Sequence, residues 1–157
     1  MTTATALTIA GSDSGGGAGI QADIKTFSAF GVYATSVITA VTAQNTRAVI
    51  AVHSVPPEIV AAQIKAVLDD IDVRAVKIGM LANAEIVGVV FEALANFKGH
   101  IVLDPVMVAK SGDALLDESA VSAAIQYLVP RADVLTPNLP EAEIGRASCR
   151  ERVLVQV

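Results

Sequence analysis

The sequence has little of what several classes of protein need. Among 157 residues there is no tryptophan, aromatic residues make up 4%, and the net charge is −5. Single-stranded nucleic acids are bound by stacked aromatic side chains on a positive surface, so we expect no nucleic-acid partner. No apolar run is long enough to span a bilayer, and the first residues lack the basic start of a signal peptide. We therefore expect a cytoplasmic protein with no membrane association.

Cysteine and histidine are also scarce. Cys149 is the single cysteine, which rules out a disulfide within the chain. His53 and His100 are the two histidines, so the sequence has neither the paired histidines nor the paired cysteines of a zinc site. A Cys–His nucleophile is not expected either, because Cys149 lies in an atypical terminal segment.

What the sequence does contain is a large apolar fraction, 53% hydrophobic against 17% charged residues, which suffices for one domain with a core. Short apolar runs alternate with segments of helical periodicity. This alternation predicts an α/β fold of three layers, α/β/α, with a mostly parallel central sheet. We predict strands over Leu7–Ala10, Tyr33–Val41, Ala75–Gly79, His100–Leu103 and Ala132–Thr136. We predict helices that end near Gly31, begin at Pro57, span Asn83–Phe97, span Asp117–Leu128 and begin at Asn138. Asn83 is the predicted N-cap of its helix, and Val49–Val55 is a short connection for which extended backbone is one option.

A loop with five glycines, GSDSGGGAGIQAD over residues 11–23, follows the first predicted strand. It lacks the lysine that closes a Walker phosphate-binding loop, since no Lys or Arg precedes Lys25. Its segment Gly17–Ala22 matches a dinucleotide fingerprint, but no acidic residue lies between Asp23 and Glu58 to hold a ribose. The loop is therefore either a close approach of backbone to a ligand or a tight turn without one. A ligand group beside its aspartates would be neutral or a donor, because carboxylates repel phosphate.

Ligands of such sheets lie outside the carboxyl ends of the strands, so polar residues there are candidates for a site. Gln44 follows the second predicted strand, and its amide either reads the edge of a neutral heterocycle or caps backbone groups. Asp104 follows the fourth strand, with Pro105 holding it extended and Met107 in an apolar wall for a flat ring. The polar loop Lys110–Asp113 either folds over a phosphate or is solvated.

Asn138 and Glu141 follow the fifth predicted strand and share one face of a helix start. Their oxygens suit Mg²⁺ bound through water and shared with substrate phosphates. The same spacing suits helix capping, with Asn138 as the N-cap and Glu141 as the capping-box acid. Asn138 and Glu141 alone do not favour metal binding over capping. Together with Asp104 they favour chemistry on a nucleotide bound to magnesium.

Four segments together resemble one enzyme family: ALTIAGSDSGGGAGIQADIKTFSAFGVYATSVITAVTAQNT, VKIGML, VLDPVMVAKSGDALL and LTPNLPEAE. Over about residues 5–143 the chain is similar to the hydroxymethylpyrimidine/phosphomethylpyrimidine kinases of thiamine biosynthesis. The resemblance implies a ribokinase-like fold and an ATP- and Mg²⁺-dependent phosphorylation of 4-amino-5-hydroxymethyl-2-methylpyrimidine and then of its monophosphate. A pyridoxal kinase of the same fold and a non-catalytic pyrimidine-binding fragment are the alternatives.

The resemblance also implies roles for individual residues. By position, Gln44 matches the amide that reads the pyrimidine, and four residues match the pocket around the ring: Gly11, Asp23, Met80 and Met107. The polar set near Mg-ATP is matched by Asp104, Asn138 and Glu141, with Asp104 and Glu141 facing the metal through water. The family's catalytic base, its anion hole and most of its adenine pocket lie in a later half, so no catalytic residue is assigned. The full-length protein is expected to be a homodimer.

The resemblance ends near Glu143, and residues 144–157 differ in character. They carry three arginines against one glutamate in an otherwise acidic chain, and the helical periodicity stops. One back-translation of Glu143–Val153 resembles a sequencing adapter read in frame. We therefore expect residues 1–143 to be the N-terminal portion of a ribokinase-like kinase domain. Residues 144–157 are expected to be artefactual or disordered, in a truncated or chimeric reading frame whose product has little or no kinase activity.

Overall fold

The computed structural model describes residues 3–106 and 118–138. The described strands are β1 (Thr5–Asp13), β2 (Tyr33–Gln44), β3 (Val49–Ser54), β4 (Ala75–Ile78), β5 (His100–Leu103) and β6 (Val134–Leu135). The described helices are α1 (Gly19–Ala29), α2 (Pro57–Asp70), α3 (Ala84–Ala93) and α4 (Glu118–Ala123), the last continued by a π-helical turn over Ala124–Leu128 and a 3-10 turn over Val129–Arg131. Several predictions fall outside these residues: Met107, Lys110–Asp113, the helix start at Asp117, the helix after Asn138, Glu141 and the segment 144–157.

The strands form one sheet in the order β3-β2-β1-β4-β5-β6. All neighbours are parallel except β3, which runs antiparallel to β2. The predicted mostly parallel sheet is therefore confirmed, with each predicted strand present. The segment predicted as a connection, Val49–Val55, contributes β3 at the edge, where five of its six residues are exposed.

One face of the sheet holds the main core. Because successive side chains of a strand alternate between faces, Leu7 and Ile9 of β1 share a face with Val76 and Ile78 of β4. All four are fully buried and pack with the apolar residues of α2 and α3. Burial of each such side chain contributes about 1.5–3 kcal/mol. This layer fixes the strand ends that carry the candidate site.

The opposite face carries polar side chains and α1. Thr8 of β1 and Lys77 of β4 are paired across the two strands and lie on this face. The Thr8 hydroxyl donates to the carboxylate of Asp23 in α1 at 2.6 Å, which places α1 over them. Farther along the sheet Val102 and Val134 are only partly buried on this face, and α1 is the one helix there among the described residues. Helices therefore lie on both faces, as predicted.

Local sequence signals set the helix ends. Pro57 begins α2, where its missing N–H costs nothing. The side chain of Asn83 accepts the N–H of Ile86 at 2.9 Å and caps α3, as predicted. Gly31 follows α1 with φ of +71°, a conformation that favours glycine. None of the described helices combines the length and the apolar character that a bilayer crossing requires.

Candidate functional site

The loop between β1 and α1 is closed around the carboxylate of Asp13, which is 6% exposed. Its Oδ1 accepts the N–H of Gly15 at 2.7 Å, and its Oδ2 accepts those of Gly17 and Ala18 at 2.9 and 2.8 Å. Three backbone donors that could surround a phosphate are thus occupied by an anion of the chain itself. A phosphate would have to displace Asp13 and would be repelled by it, so this loop is not a phosphate cradle.

The same loop is fastened to its surroundings at both ends. The Gln21 amide accepts the N–H of Asp13 at 2.8 Å and donates to the Ser12 hydroxyl at 2.7 Å. The Ser14 hydroxyl donates to the Gln44 carbonyl at 2.6 Å and accepts the Gln44 N–H at 2.8 Å. The loop is therefore held against the carboxyl end of β2 as a fixed wall.

Two glycines of this loop make close contacts, and the backbone contact of Gly19 is the one that requires glycine. A Cβ on Gly19 would lie 2.2 Å from the Gly11 carbonyl oxygen, and Gly19 has φ of +55°. A Cβ on Gly11 would lie 2.5 Å from the Cε of Met80, which follows β4. The Met80 carbonyl is in turn fixed by the Thr39 hydroxyl at 2.7 Å. The structure thereby brings together Gly11 and Met80, two residues predicted to line a ring pocket.

The side chain of Gln44 is partly exposed at the end of β2. Its Oε1 lies 3.2 Å from the Thr42 hydroxyl, which also lies 2.9 Å from the Ser12 carbonyl. Within residues 3–106 and 118–138 its amide nitrogen has no hydrogen-bond partner, and the side chain caps no backbone group. This arrangement leaves an amide donor available to a ligand.

Asp23 and Asp104 are brought together by Lys77, which the sequence analysis did not single out. The Lys77 ammonium lies 3.3 Å from Asp23 Oδ1 and 3.4 Å from Asp104 Oδ2. All three side chains are largely buried, with 21%, 16% and 32% exposed for Lys77, Asp23 and Asp104. Both Asp23 oxygens have partners, since Oδ2 accepts the Thr8 hydroxyl. A substrate that binds Asp23 would contact a carboxylate that Lys77 and Thr8 already contact.

Burial raises the pKa of Asp104 above its ordinary value. The Lys77 ammonium opposes this rise through its charge and a hydrogen bond, while the negative charge of Asp23 adds to it. Desolvation therefore dominates at Asp104 even with a cation alongside.

The described residues fit a magnesium ion held chiefly by phosphate and water. No group of three or more His, Cys, Asp or Glu side chains among them is arranged to hold a metal ion. Asp104 supplies a partly exposed carboxylate at the strand ends, and one or two carboxylates are what a phosphate-bound Mg²⁺ typically uses. Asn138 lies exposed three residues after β6, and Glu141 lies outside the described residues. Of the residues predicted for the metal, Asp104 is thus the one whose carboxylate lies among the described residues.

A signal for Lys77 was present in the sequence. The strand reads AVKIG, and a lysine inside a buried strand requires a charged or polar partner. Its partners could not be read from the sequence, because Asp23 and Asp104 are distant along the chain and converge only through the strand order. The same holds for Thr8, the second partner of Asp23.

The chain is similar to proteins of one known family. A family model described as phosphomethylpyrimidine kinase matches residues 13–150. This match extends beyond Glu143, and the domain boundary predicted there stays a prediction.

Curated relatives are described as kinases of this kind or as bifunctional proteins of thiamine biosynthesis. The hydroxymethylpyrimidine/phosphomethylpyrimidine kinase of Rhizobium meliloti is 62% identical over 147 residues, covering 92% of this chain and 55% of the relative. The thiamine biosynthesis bifunctional protein ThiED of Geobacter sulfurreducens is 54% identical over 138 residues, covering 87% of this chain and 28% of the relative. The chain thus spans about half the length of the monofunctional relative, or less of the bifunctional one.

Solved structures agree in fold. A phosphomethylpyrimidine kinase from Clostridium difficile has a TM-score of 0.87 and 53% identity, covering 92% of this chain and 63% of that one. The pyridoxal kinase from Staphylococcus aureus in complex with pyridoxal has a TM-score of 0.83 but 34% identity, covering 96% of this chain and 55% of that one. The ribokinase-like fold is therefore confirmed, and sequence identity favours the phosphomethylpyrimidine kinases over the pyridoxal kinases.

Proposed function

The chain belongs to the phosphomethylpyrimidine kinase family, and from this we propose that its full-length protein transfers a phosphoryl group from ATP to a hydroxymethylpyrimidine. The acceptor is the hydroxymethyl group of 4-amino-5-hydroxymethyl-2-methylpyrimidine, followed by the monophosphate so formed. The proposed process is thiamine biosynthesis. The proposal includes Mg²⁺ as cofactor, a homodimer as the assembly and the cytoplasm as the location.

The observation that carries the proposal is the convergence of the candidate residues at the carboxyl ends of four strands. Gly11 of β1 and Gln44 of β2 lie on the side we assign to the pyrimidine, with Met80 beside Gly11. Asp104 follows β5 on the side we assign to the nucleotide, and Lys77 joins it to Asp23. This edge is where open α/β sheets bind their ligands.

On the pyrimidine side the proposed work is recognition and orientation. The loop around Asp13 presents a wall of glycine backbone that a flat ring can approach closely. The Gln44 amide donor, which has no partner among the described residues, would pair with an acceptor nitrogen of the ring, and Asp23 would accept from a ring amino group. Since the loop donors are already used by Asp13, the phosphates are assigned to the opposite side, beside Asp104.

On the nucleotide side the proposed work is positioning and charge neutralisation. Mg²⁺, when bound, neutralises the charge of the transferred phosphoryl group. Asp104 would face that ion, with Asn138 and Glu141 as further members of the polar set. Holding the two reactants in line supplies much of the rate enhancement in such reactions.

The test is turnover by the full-length protein that carries this sequence. We expect ADP release that depends on both Mg²⁺ and the pyrimidine, with a phosphorylated pyrimidine detected by ³¹P NMR. Gln44→Ala is expected to raise KM for the pyrimidine about ten-fold, a hydrogen-bond loss of about 1.4 kcal/mol. Gln126→Ala, an exposed glutamine remote from these strand ends, serves as the control. Faster turnover of pyridoxal than of the pyrimidine would overturn the proposal.

A further inference from the structure

We propose that Lys77 is a positioning residue shared by the two sides of the site, holding Asp23 toward the pyrimidine and Asp104 toward the nucleotide. The inference rests on the proposed function and goes beyond it, because Lys77 is assigned no contact with either ligand.

The position of Lys77 is fixed by the sheet. Its strand is paired on both sides, with Thr8 of β1 opposite it on one side and Val102 of β5 on the other. Asp23 instead lies on α1 and Asp104 in the segment after β5. A rigidly placed ammonium therefore sits between two carboxylates on separate elements.

The distances show that the ammonium is divided between the two acids. It lies 3.3 Å from Asp23 and 3.4 Å from Asp104, so neither carboxylate holds it alone. One positive charge between two negative charges leaves the trio with a single net negative charge. Without Lys77 the two carboxylates would repel each other in a largely buried place, and each would lose its placement.

The backbone leaves room for this arrangement. A Cβ on Gly79, just after β4, would lie 3.1 Å from the Lys77 ammonium and 3.1 Å from the Cβ of Ala10. An added Cβ would displace the ammonium or the Ala10 methyl by a few tenths of an ångström, so glycine at this position leaves the ammonium where it is observed. The Thr8 hydroxyl fixes the far oxygen of Asp23 at 2.6 Å, so Asp23 presents a defined face to Lys77.

The experiment is a pair of double-mutant cycles in the full-length protein. Dissociation constants for the pyrimidine alcohol and for ADP with Mg²⁺ are measured by calorimetry for Lys77→Met, Asp23→Asn, Asp104→Asn and the two double variants. Lys65→Met, an exposed lysine of α2, is the matched control. Gly79→Ala is a second route, since it crowds the ammonium without removing its charge.

We expect Lys77→Met to weaken binding of each ligand about ten-fold. In the Asp23→Asn background, Lys77→Met should change the dissociation constant of the pyrimidine less than about two-fold but should still weaken ADP binding. In the Asp104→Asn background, Lys77→Met should change the dissociation constant of ADP less than about two-fold but should still weaken pyrimidine binding. Lys77→Arg should restore part of both affinities. These outcomes would support the proposal, because a merely structural lysine would weaken both ligands equally in every background.

The opposite results would overturn the inference. Additive effects in both cycles, or a lowered melting temperature with unchanged dissociation constants, would show that Lys77 only stabilises the fold. If the wild-type protein binds and phosphorylates the pyrimidine while the cycles are additive, the proposed function stands and this inference fails. If the wild-type protein binds neither ligand, both fail.

Discussion

The carboxylate of Asp13 organises the loop beside the site by accepting three backbone N–H groups. We predict that Asp13→Ala lowers the free energy of unfolding by about 2–3 kcal/mol, since these donors lose a charged acceptor in a largely buried place. Urea unfolding of the variant and wild type measures the difference. Asp13→Asn keeps one acceptor oxygen, so its free energy of unfolding should lie between those of Asp13→Ala and wild type.

The control for Asp13 is an exposed acidic residue that accepts no backbone N–H group of the glycine loop. Asp69→Ala on α2 removes a carboxylate whose side chain is 60% exposed, so its effect should stay within about 0.5 kcal/mol. An Asp13→Ala protein as stable as the Asp69→Ala protein would contradict the assigned role.

Asp104 gives a second prediction at this scale, through its raised pKa. Because desolvation raises the pKa of Asp104 in the folded state, its ionised form costs stability at any pH above that folded value. We therefore expect Asp104→Asn to raise the melting temperature at neutral pH while weakening nucleotide binding. As pH falls from the folded-state pKa of Asp104 to its unfolded-state pKa, the wild-type protein regains stability because Asp104 becomes protonated. The difference in melting temperature between Asp104→Asn and wild type should therefore shrink over this range.

Thermal unfolding of both proteins from neutral to mildly acidic pH measures this change. A melting temperature of Asp104→Asn below that of wild type at neutral pH would show that the contact with Lys77 outweighs the desolvation of the carboxylate.

Among the elements, α3 begins at a side-chain cap next to the site. The Asn83 side chain accepts the N–H of Ile86 and ends the short segment that carries Met80. We predict that Asn83→Ala lowers the free energy of unfolding by about 1 kcal/mol, whereas Asn83→Asp keeps nearly all of it. Chemical denaturation tests this, and equal losses in the two variants would contradict the cap.

The elements also show how far the sequence could be interpreted. Buried parallel strands are short apolar runs that the sequence makes visible, and one of them, His100–Leu103, was predicted at its observed bounds. One or both ends of each of the others were missed by one to three residues, as for β1, which was predicted over Leu7–Ala10 and spans Thr5–Asp13. The strand β3 was predicted as a connection because it lies exposed at the sheet edge and therefore shows no buried face. The fold of the loop around Asp13 escaped prediction since it depends on tertiary closure, although an aspartate before three glycines favours such turns. The contact of Lys77 with two distant acids likewise required the strand order.

At the level of the whole molecule, the described helices cover the two faces of the sheet unequally. Leu103 and Leu135 are buried on the face of α2 and α3, whereas Val102 and Val134 are only partly buried on the face of α1. Partly exposed apolar side chains on a sheet favour self-association. The family members that this chain matches are longer, and 147 aligned residues cover only 55% of the Rhizobium meliloti protein.

We therefore predict that joining residues 1–143 to the later half of the Rhizobium meliloti relative reduces binding of a hydrophobic dye and raises kinase turnover above that of the 157-residue chain. Size-exclusion chromatography should show the joined protein as a defined species and the 157-residue chain as a broader, associating one. The same dye and turnover assays on the 157-residue chain provide the reference. Equal dye binding by both proteins would contradict the prediction.

The carboxylate held inside the glycine loop has a consequence for the thermodynamics of binding. Because Asp13 is covalently part of the loop it orders, the entropy of fixing that loop is lost when the protein folds. A ring that docks against the loop then meets a preorganised surface, and its affinity is not reduced by the cost of ordering the loop. Glycines, the residues that lose the most freedom on ordering, are in this way compatible with tight recognition of a small ligand.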